Sequence, residues 1–357
     1  MNDKKLFLGH YDSLKIYRDN TCSNNLHILV TGETGTGKST ALIHLAKELA
    51  KTGAEIYIPD YSGYFTTSNL GIRESILEHP AISQPFKGHQ KDEEAPVVLL
   101  RYAEMLADIW HLGPNQYALV VSALMEMSDM NYETLNFQNP FARYLRFSES
   151  QLCYDIGLLS YCLVEIDEKE GKRLAERFLD ILILQKPYQK TLSLQDSNIK
   201  TLTYPAINGT LISRLTNMFL YSIFMKHAYQ KNTATTYIIL DEIQNLNWAL
   251  NSVLVKLLKE GRKFNINLIL ATQTLTDEFS KPILNAILQA DLHLIFNPPA
   301  SDYRLINKII CDTRYNDSKP CLPTGFCLAS GYLCADHTNT YRQCVKIQIP
   351  SEVNENV

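Results

Sequence analysis

The chain has 357 residues, of which 45% are hydrophobic and 20% are charged, and its formal net charge at pH 7 is -4. This composition excludes a disordered or low-complexity chain, and the length allows one large hydrophobic core or two smaller ones. The slightly acidic balance gives no global electrostatic support for nucleic-acid binding, although a few basic side chains repeated around a pore would suffice for it.

The start of the chain and its hydropathy predict a cytoplasmic protein with reduced cysteines. The first apolar run, residues 6–8, is too short for a signal sequence, and no run approaches membrane-spanning length. Without an export signal, the eight cysteines are expected as thiols. Those near the carboxyl terminus form no C-x-x-C pair, so we expect buried structural cysteines, with zinc as the weaker alternative. They are Cys311, Cys321, Cys327, Cys334 and Cys344.

The first predicted elements are strands around one helix. Alternation within residues 8–17 predicts a short strand pair, part of a β lead-in over 1–25, and the apolar run 26–30 predicts the first core strand. A helix is predicted from Ala41 to about Gly53, followed by a strand over 55–60. This succession indicates a parallel sheet that binds ligands at the carboxyl ends of its strands.

Between this first strand and helix lies the pattern G-x-x-x-x-G-K-[ST] of a phosphate-binding loop. Its glycines let the backbone curl until successive N–H groups point at a phosphate. Lys38 would reach the β- and γ-phosphates, and the Ser39 hydroxyl would ligate Mg²⁺ at the start of the helix. The dinucleotide pattern G-x-G-x-x-G fails because Thr40 stands at its third glycine. The predicted nucleotide-binding residues are Gly32, Glu33, Thr34, Gly35, Thr36, Gly37, Lys38, Ser39 and Thr40.

Residues 68–197 lose the strand pattern and predict a helical insertion. Helical spacing of apolar residues predicts helices over 98–110, from Asn115 onward and over 171–185. The aromatic residues in them favour an ordinary packed core, with stacking on nucleic-acid bases as the weaker alternative. A strand is predicted to return at 200–204, and a long helix follows over 211–229.

A second functional pattern is the apolar strand 237–240 followed by two acids. Asp241 at the strand tip can hold Mg²⁺, and Glu242 can orient and deprotonate an attacking water. Alone, these acids could equally be a solvated strand end. Together with the phosphate-binding loop they favour hydrolysis over binding alone, because Mg²⁺ ligation explains only the first acid.

The next helix is predicted to end near residues 261–263, before a buried strand over 267–273. Gln273 at its tip would sense the γ-phosphate through hydrogen bonds. Arg262 leaves a helix end, so we expect it to face the nucleotide of a neighbouring subunit. The alternative for Arg262 is a cation that interacts with the helix dipole.

The remaining residues extend the predicted core. They predict a helix over 283–288, a strand over 292–296, a helix over 302–310 and an antiparallel pair over 325–330 and 341–349. The predicted division is a lead-in (1–25), a core (26–67 and 198–310), a helical insertion (68–197) and a carboxyl-terminal β extension (311–357).

Five segments together resemble the HerA/FtsK superfamily, ring-forming ATPases that pump DNA and include conjugative coupling ATPases. They are residues 27–40, 58–64, 112–116, 240–242, and 260–264 placed before the Ala-Thr-Gln strand end 271–273. The last spacing is the most specific part. The turn at 60–63 resembles HerA more than FtsK.

The resemblance, which covers residues 8–350, implies an α/β fold: a RecA-like P-loop NTPase core with a parallel sheet, a helical insertion and a short carboxyl-terminal β-hairpin. It implies ATP and Mg²⁺ as cofactors and a homohexamer with its sites at subunit interfaces. It also implies Lys38 and Ser39 in the loop, Asp241 on Mg²⁺, Glu242 as catalytic base, Gln273 as sensor and Arg262 as a finger in trans. HerA proteins usually carry an amino-terminal β-barrel, for which residues 1–25 are too short.

These patterns predict an ATP-driven motor on double-stranded DNA, with a nuclease or defence-type partner by analogy. The alternatives are a secretion or conjugation motor and an ATP-gated assembly or signalling module without translocation. Lys186, Lys190, Arg143 and Arg146 are candidates for a pore, but a solvated surface is the favoured interpretation for each.

Overall fold

The computed structural model describes residues 5–23, 25–60, 62–70, 95–130, 132–148, 151–184, 198–203, 209–229, 234–249, 252–310, 321–335 and 338–350. The chain divides into two compact units. The first unit comprises Met1–Ile76, Ser193–Ile207 and Lys226–Val357, and the second comprises Leu77–Leu192 and Asn208–Met225. The four-part domain division made from the sequence stays a prediction.

The first unit is built on one large sheet. Its strands are β1 (Lys5–Tyr11), β2 (Leu14–Asp19), β3 (Ile28–Thr31), β4 (Glu55–Asp60), β7 (Ile199–Thr203), β8 (Thr236–Leu240), β9 (Ile266–Thr272), β10 (Leu292–Ile295), β11 (Phe326–Ala335) and β12 (Tyr341–Gln348). The second unit has the short strands β5 (Phe147–Ser148) and β6 (Gln151–Leu152), which form an antiparallel pair.

The parallel part of the large sheet runs in the order β10-β3-β9-β8-β4-β7. Every residue of β3, β8, β9 and β10 is buried, which matches their near-continuous Val, Ile and Leu runs, since parallel strands are covered on both faces. Because the strands are parallel, the ends of β3, β4, β8 and β9 lie at one edge of the sheet. This edge is called the carboxyl edge below, and the opposite one the amino edge.

Helices connect the strands and fill the second unit. They are α1 (Lys38–Lys51), α2 (Thr67–Leu70), α3 (Ala95–Trp110), α4 (Pro114–Asp129), α5 (Ile156–Ile166), α6 (Glu168–Glu176), α7 (Leu179–Leu184), α8 (Gly209–Tyr229), α9 (Val253–Glu260), α10 (Lys281–Ile287) and α11 (Tyr303–Ile310). In the first unit, Leu42, Leu45 and Leu49 of α1 are fully buried and join the core cluster that contains Ile28 and Val30 of β3. This packing fixes the loop between β3 and α1 at both of its ends.

The lead-in and the carboxyl-terminal hairpin, predicted as separate additions, form one structure. β1 pairs with β2, β2 with β11, β11 with β12, and β12 returns to β1 at His10 and Gln348, with every pairing antiparallel. β11 also pairs with β10, so this closed set of four strands continues from the parallel sheet. No sequence pattern predicted that these four strands close on one another, because the closure joins residues more than 300 positions apart.

In the second unit, the helix predicted over 171–185 is wrong as a single helix. α6 ends at Glu176 and α7 begins at Leu179, while Gln185 lies outside the described residues. The indole nitrogen of Trp110 donates to the Arg177 carbonyl at 2.9 Å, and the Trp110 ring meets the Phe178 ring edge-on at 4.9 Å. The Arg177 carbonyl therefore accepts a hydrogen bond from a tryptophan of α3, and the chain turns between α6 and α7 at this point.

Helix α5 was missed by the sequence analysis. Nine successive residues from Ile156 to Val164 are buried, so the segment has no polar face and no helical periodicity to detect. Its start was readable, because Asp155 caps the helix by accepting from the backbone N–H groups of Gly157 and Leu158. An acid before an apolar run is, however, also the form of many strand boundaries.

Three of the five carboxyl-terminal cysteines are buried as expected, namely Cys327, Cys334 and Cys344. Cys321 is exposed, contrary to the expectation, and Cys311 lies outside the described residues. No helix within the described ranges has the length and the hydropathy needed to cross a membrane.

Candidate nucleotide-binding site

The phosphate-binding loop curls between the end of β3 and the start of α1, and two of its glycines are required by space. Gly32 has φ 149, and a Cβ added to it would lie 2.6 Å from the Cβ of Phe296. Gly37, the residue before α1, has φ 112, and its added Cβ would lie 3.1 Å from the backbone nitrogen of Gly325. A side chain at Gly32 would overlap Phe296, and one at Gly37 would crowd Gly325 and strain the backbone.

Lys38 reaches back across the loop to its carbonyl oxygens, and its predicted contact with the β- and γ-phosphates stays a prediction. Its side chain is buried, and Nζ donates to the carbonyl oxygens of Gly32 at 2.7 Å and Glu33 at 3.0 Å. Burial lowers the pKa of Lys38, and the carboxylates of Glu242 and Asp241 oppose this shift. An ammonium group has three donors, so one remains for a phosphate oxygen.

Asp241 directly follows β8 and is buried beside other carboxylates. Its Oδ1 accepts from the backbone N–H of Glu242 at 2.9 Å. Burial raises the pKa of Asp241 to about 6, and the negative charges of Glu242 and Asp60 act in the same direction, against the positive charge of Lys38. A concentration of carboxylates at a buried strand end is an environment that a divalent cation would stabilise.

The donor set fits Mg²⁺ of the kind that binds together with a nucleotide. Ser39 presents a half-buried hydroxyl in the first turn of α1, and Asp241 presents a carboxylate. Mg²⁺ prefers oxygen ligands and usually takes only one or two from protein, with the others from phosphates and water. In the part of the chain that the structure describes, no group of three His, Cys, Asp or Glu residues could hold a metal by itself.

Glu242 has an uncommon backbone conformation and a fixed side chain. Its φ of 46 and ψ of 48 are left-handed, which for a residue other than glycine costs on the order of 1–3 kcal/mol and is typical of functional sites. Gln273 Nε2 lies 2.9 Å and 3.0 Å from the two carboxylate oxygens, and Gln244 Nε2 also donates to one of them. Because β8 and β9 are adjacent, their ends bring Glu242 and Gln273 together.

Asp60 and Gln244 complete this edge, and the sequence analysis gave neither a role. Asp60 accepts from the backbone N–H groups of Gly63 at 2.8 Å and Phe65 at 3.0 Å, and so fixes the turn after β4. Gln244 orients Glu242 and accepts from the Thr272 hydroxyl at 3.0 Å. In the sequence, the only indication of a role for Gln244 was its position two residues after Glu242.

Arg262 lies at the amino edge, away from the loop of its own chain. It is exposed in a 3-10 turn, Gly261–Phe264, that precedes β9. β9 has seven residues, so at about 3.3 Å per residue Arg262 is separated from Gln273 by about 20 Å. The chain brings Lys38, Asp241, Glu242 and Gln273 to one edge and does not bring Arg262 to them.

Two buried histidines fix the turn that carries Arg262. His27 accepts from the Leu268 N–H at Nδ1, at 2.8 Å, so its Nε2 carries the proton and donates to the Leu258 carbonyl at 3.1 Å. His227 Nδ1 donates to the Phe264 carbonyl at 2.8 Å. These bonds hold the chain immediately before, within and after the 3-10 turn.

Of the four basic residues considered for a pore, Arg143 and Arg146 lie in the second unit. Arg146 Nε donates to the buried Asp155 carboxylate at 2.9 Å, and the Arg143 guanidinium lies 4.8 Å from the centre of the Tyr144 ring. Lys186 and Lys190 lie outside the described residues. The two arginines have structural partners, and no role in a pore follows from their placement.

Comparison with known families gives a match over most of the chain. The sequence model of the family described as "Helicase HerA, central domain" matches residues 12–287. This match begins within the first hairpin and contains all the predicted site residues. A search of curated proteins gives no match.

Solved structures share the fold. VirB4 of Thermoanaerobacter pseudethanolicus has a TM-score of 0.61 at 14% identity, over 92% of this chain and 90% of that one. The unbound bacterial conjugative coupling protein TrwBdeltaN70 has a TM-score of 0.57 at 16% identity, over 97% of this chain and 88% of that one. The plasmid coupling protein TrwB in complex with ADP and Mg²⁺ has a TM-score of 0.57 at 18% identity, over 91% of this chain and 84% of that one. These likenesses confirm the predicted fold class.

Proposed function

Because this chain belongs to the HerA central-domain family of P-loop ATPases, we propose that it is a hexameric motor that uses ATP hydrolysis to translocate or remodel double-stranded DNA. ATP would bind with its phosphates in the loop 32–40. The proposal includes a cytoplasmic location and a nuclease or other effector protein as partner, which rest on analogy alone.

The observation that carries the proposal is the fixed Glu242 carboxylate beside the phosphate-binding loop. Glu242 is oriented by Gln273 and Gln244, so it can accept the proton of a water that attacks the γ-phosphorus while ADP leaves. Gln273 would exchange its bond to Glu242 for one to the γ-phosphate or to the water. Ser39 and Asp241 would hold Mg²⁺, which would supply charge neutralisation at the phosphates.

The position of Arg262 supports the proposal of a ring. An arginine at the amino edge, about 20 Å from the end of β9, would have to act on the nucleotide of a neighbouring subunit. An arginine supplied in this way stabilises the charge of the transition state and accelerates phosphoryl transfer by about 10³ to 10⁵. In this arrangement each loop is half of a site that the next subunit completes.

The second candidate function is a motor of a conjugation or secretion system. The likeness in fold to the conjugative coupling protein TrwB favours it. Such a motor would move a nucleoprotein or a protein and would require a partner in the membrane. A third possibility, an ATP-gated module without translocation, predicts that ATP occupancy rather than turnover is the output.

Electron microscopy of the purified protein with ATP and duplex DNA tests the leading proposal, together with ATPase assays. We expect rings with DNA in the pore and an ATPase rate that duplex DNA raises. An ATPase rate unchanged by DNA, with no ring in the presence of ATP, would refute it. Co-purification with an envelope complex would favour the conjugation or secretion motor, and a Glu242→Gln variant that stays active in its output would favour the gated module.

A further inference from the structure

The carboxyl-terminal part of the first unit contacts the phosphate-binding loop directly. The backbone N–H of Gly325 donates to the Thr36 carbonyl at 3.1 Å, and the space beside Gly37 is filled by Gly325. Thr36 and Gly37 form the second half of the loop, which leads into α1. The chain just before β11 is therefore one wall of the site.

Asn297 locks this wall to the loop. Its side chain donates to the Leu322 carbonyl at 2.7 Å and accepts from the Leu322 N–H at 2.8 Å. Its own carbonyl accepts from the N–H of Glu33 at 2.7 Å. Asn297, two residues after the end of β10, thus bonds to both the first half of the loop and residues 321–325. Leu322 is buried and anchors that segment.

The strand order decides which part of a nucleotide this wall meets. The groups suited to the γ-phosphate, Glu242 and Gln273, follow β8 and β9, on one side of the loop strand β3. Asn297 follows β10, which pairs with β3 on the other side. A triphosphate that lies along the loop with its γ end towards β9 must point its nucleoside end towards β10, where residues 321–325 lie.

From this juxtaposition we propose that residues 321–325 form the nucleoside side of the site and contact the base and ribose of a nucleoside triphosphate. Cys321, Pro323 and Thr324 are exposed in this segment, so their side chains are available to a ligand, whereas Leu322 holds the backbone in place. The inference rests on the proposed function, because it assumes that the loop binds a nucleotide.

Alkylation of the native thiols, followed by peptide mass spectrometry, tests the proposal on the full chain. Cys321 is the reporter and the exposed Cys22 of the same unit is the matched control. At an ATP concentration about ten times its dissociation constant, the alkylation rate of Cys321 should fall about tenfold, as occupancy dictates, with Cys22 unchanged. ADP should protect Cys321 as well, and Lys38→Ala should remove the protection.

Inorganic tripolyphosphate with Mg²⁺ provides the decisive comparison, because it fills the phosphate positions without a nucleoside. We expect it to leave Cys321 reactive, and equal protection by tripolyphosphate and ATP would overturn the proposal. Thr324→Cys supplies a second reporter next to Gly325. If neither thiol is protected although calorimetry shows ATP bound, the nucleoside lies elsewhere and the proposal is wrong. If calorimetry shows no ATP binding, the proposed function itself fails.

Discussion

The two edges of the parallel sheet use polar residues in different ways. At the carboxyl edge, Lys38 Nζ donates to loop carbonyls and Gln273 Nε2 donates to the Glu242 carboxylate, so the Lys38 ammonium and the Gln273 amide could turn to a ligand. At the amino edge, both ring nitrogens of His27 bond to backbone groups, and those of His227 bond to the Phe264 carbonyl and the Thr236 hydroxyl. The first arrangement can exchange partners with a nucleotide, whereas the second is fixed.

In the proposed ring, the two edges would therefore have different roles. The carboxyl edge would change its hydrogen bonds during each turnover. The amino edge would present Arg262 to the next subunit on a turn that does not move, because preorganised groups avoid the cost of ordering at the moment of reaction. The following predictions test this difference, from the largest expected effect to the smallest.

Lys38→Ala should abolish nucleotide binding or turnover. The change removes the ammonium group of the loop and also the two bonds that it makes to Gly32 and Glu33. Calorimetry with ATP and a phosphate-release assay measure the effect. Lys51→Ala on the same helix is the control, since that exposed lysine pairs with Glu48 on the surface and should leave both readings unchanged.

Arg262→Ala should leave ATP binding intact and lower kcat by about 10³ or more, because the charge is lost only from the transition state. Lys263→Ala is the matched control: it removes the neighbouring exposed cation, which pairs with Glu260. Mixing Arg262→Ala with Glu242→Gln subunits should recover part of the turnover if the arginine acts in trans. No recovery at any mixing ratio would count against a shared site.

Glu242→Gln should bind ATP and DNA but lower kcat by about 10² to 10⁴, the range expected for the loss of a general base. Single-turnover phosphate release measures the step directly. Gln244→Ala, which removes only one of the two amides that orient Glu242, should have a smaller effect. An equal loss of kcat in both variants would show that the orientation of Glu242, rather than proton transfer to it, accounts for its contribution to kcat.

His27→Gln should change stability with pH and leave the dissociation constant for ATP unchanged. Burial lowers the pKa of His27 to about 4, whereas in the unfolded chain it protonates near 6.5. The unfolded state therefore binds more protons below pH 6.5, and this residue alone removes about 2 kcal/mol of stability between pH 7 and pH 5.

Urea unfolding at pH 7 and pH 5 measures this difference. The His27→Gln variant should lose less stability on acidification than the unchanged protein, by about 2 kcal/mol. An identical loss in the His27→Gln variant would contradict the buried, neutral imidazole. A change in ATP affinity would show that the amino edge is not independent of the site.

Much of the fold was predictable where the evidence is local. The loop pattern identified Gly32 and Gly37, and the structure explains them by the contacts of Phe296 and Gly325. Apolar runs located β3, β8, β9 and β10 of the parallel sheet to within a few residues. Helix α5 was not predictable, because periodicity fails when every side of a helix is buried.

The sequence by itself predicted the chemistry of the candidate site: a loop for phosphate, paired acids at one strand end and a glutamine at another. Such patterns are read from neighbouring residues, since backbone curvature and strand ends depend on local composition. Only the tertiary structure decided which groups meet. Parallel pairing of β8 with β9 joins Glu242 to Gln273, and the length of β9 separates Arg262 from both. The contact of Gly325 with Thr36 likewise depends on how distant strands pair, which no local pattern encodes.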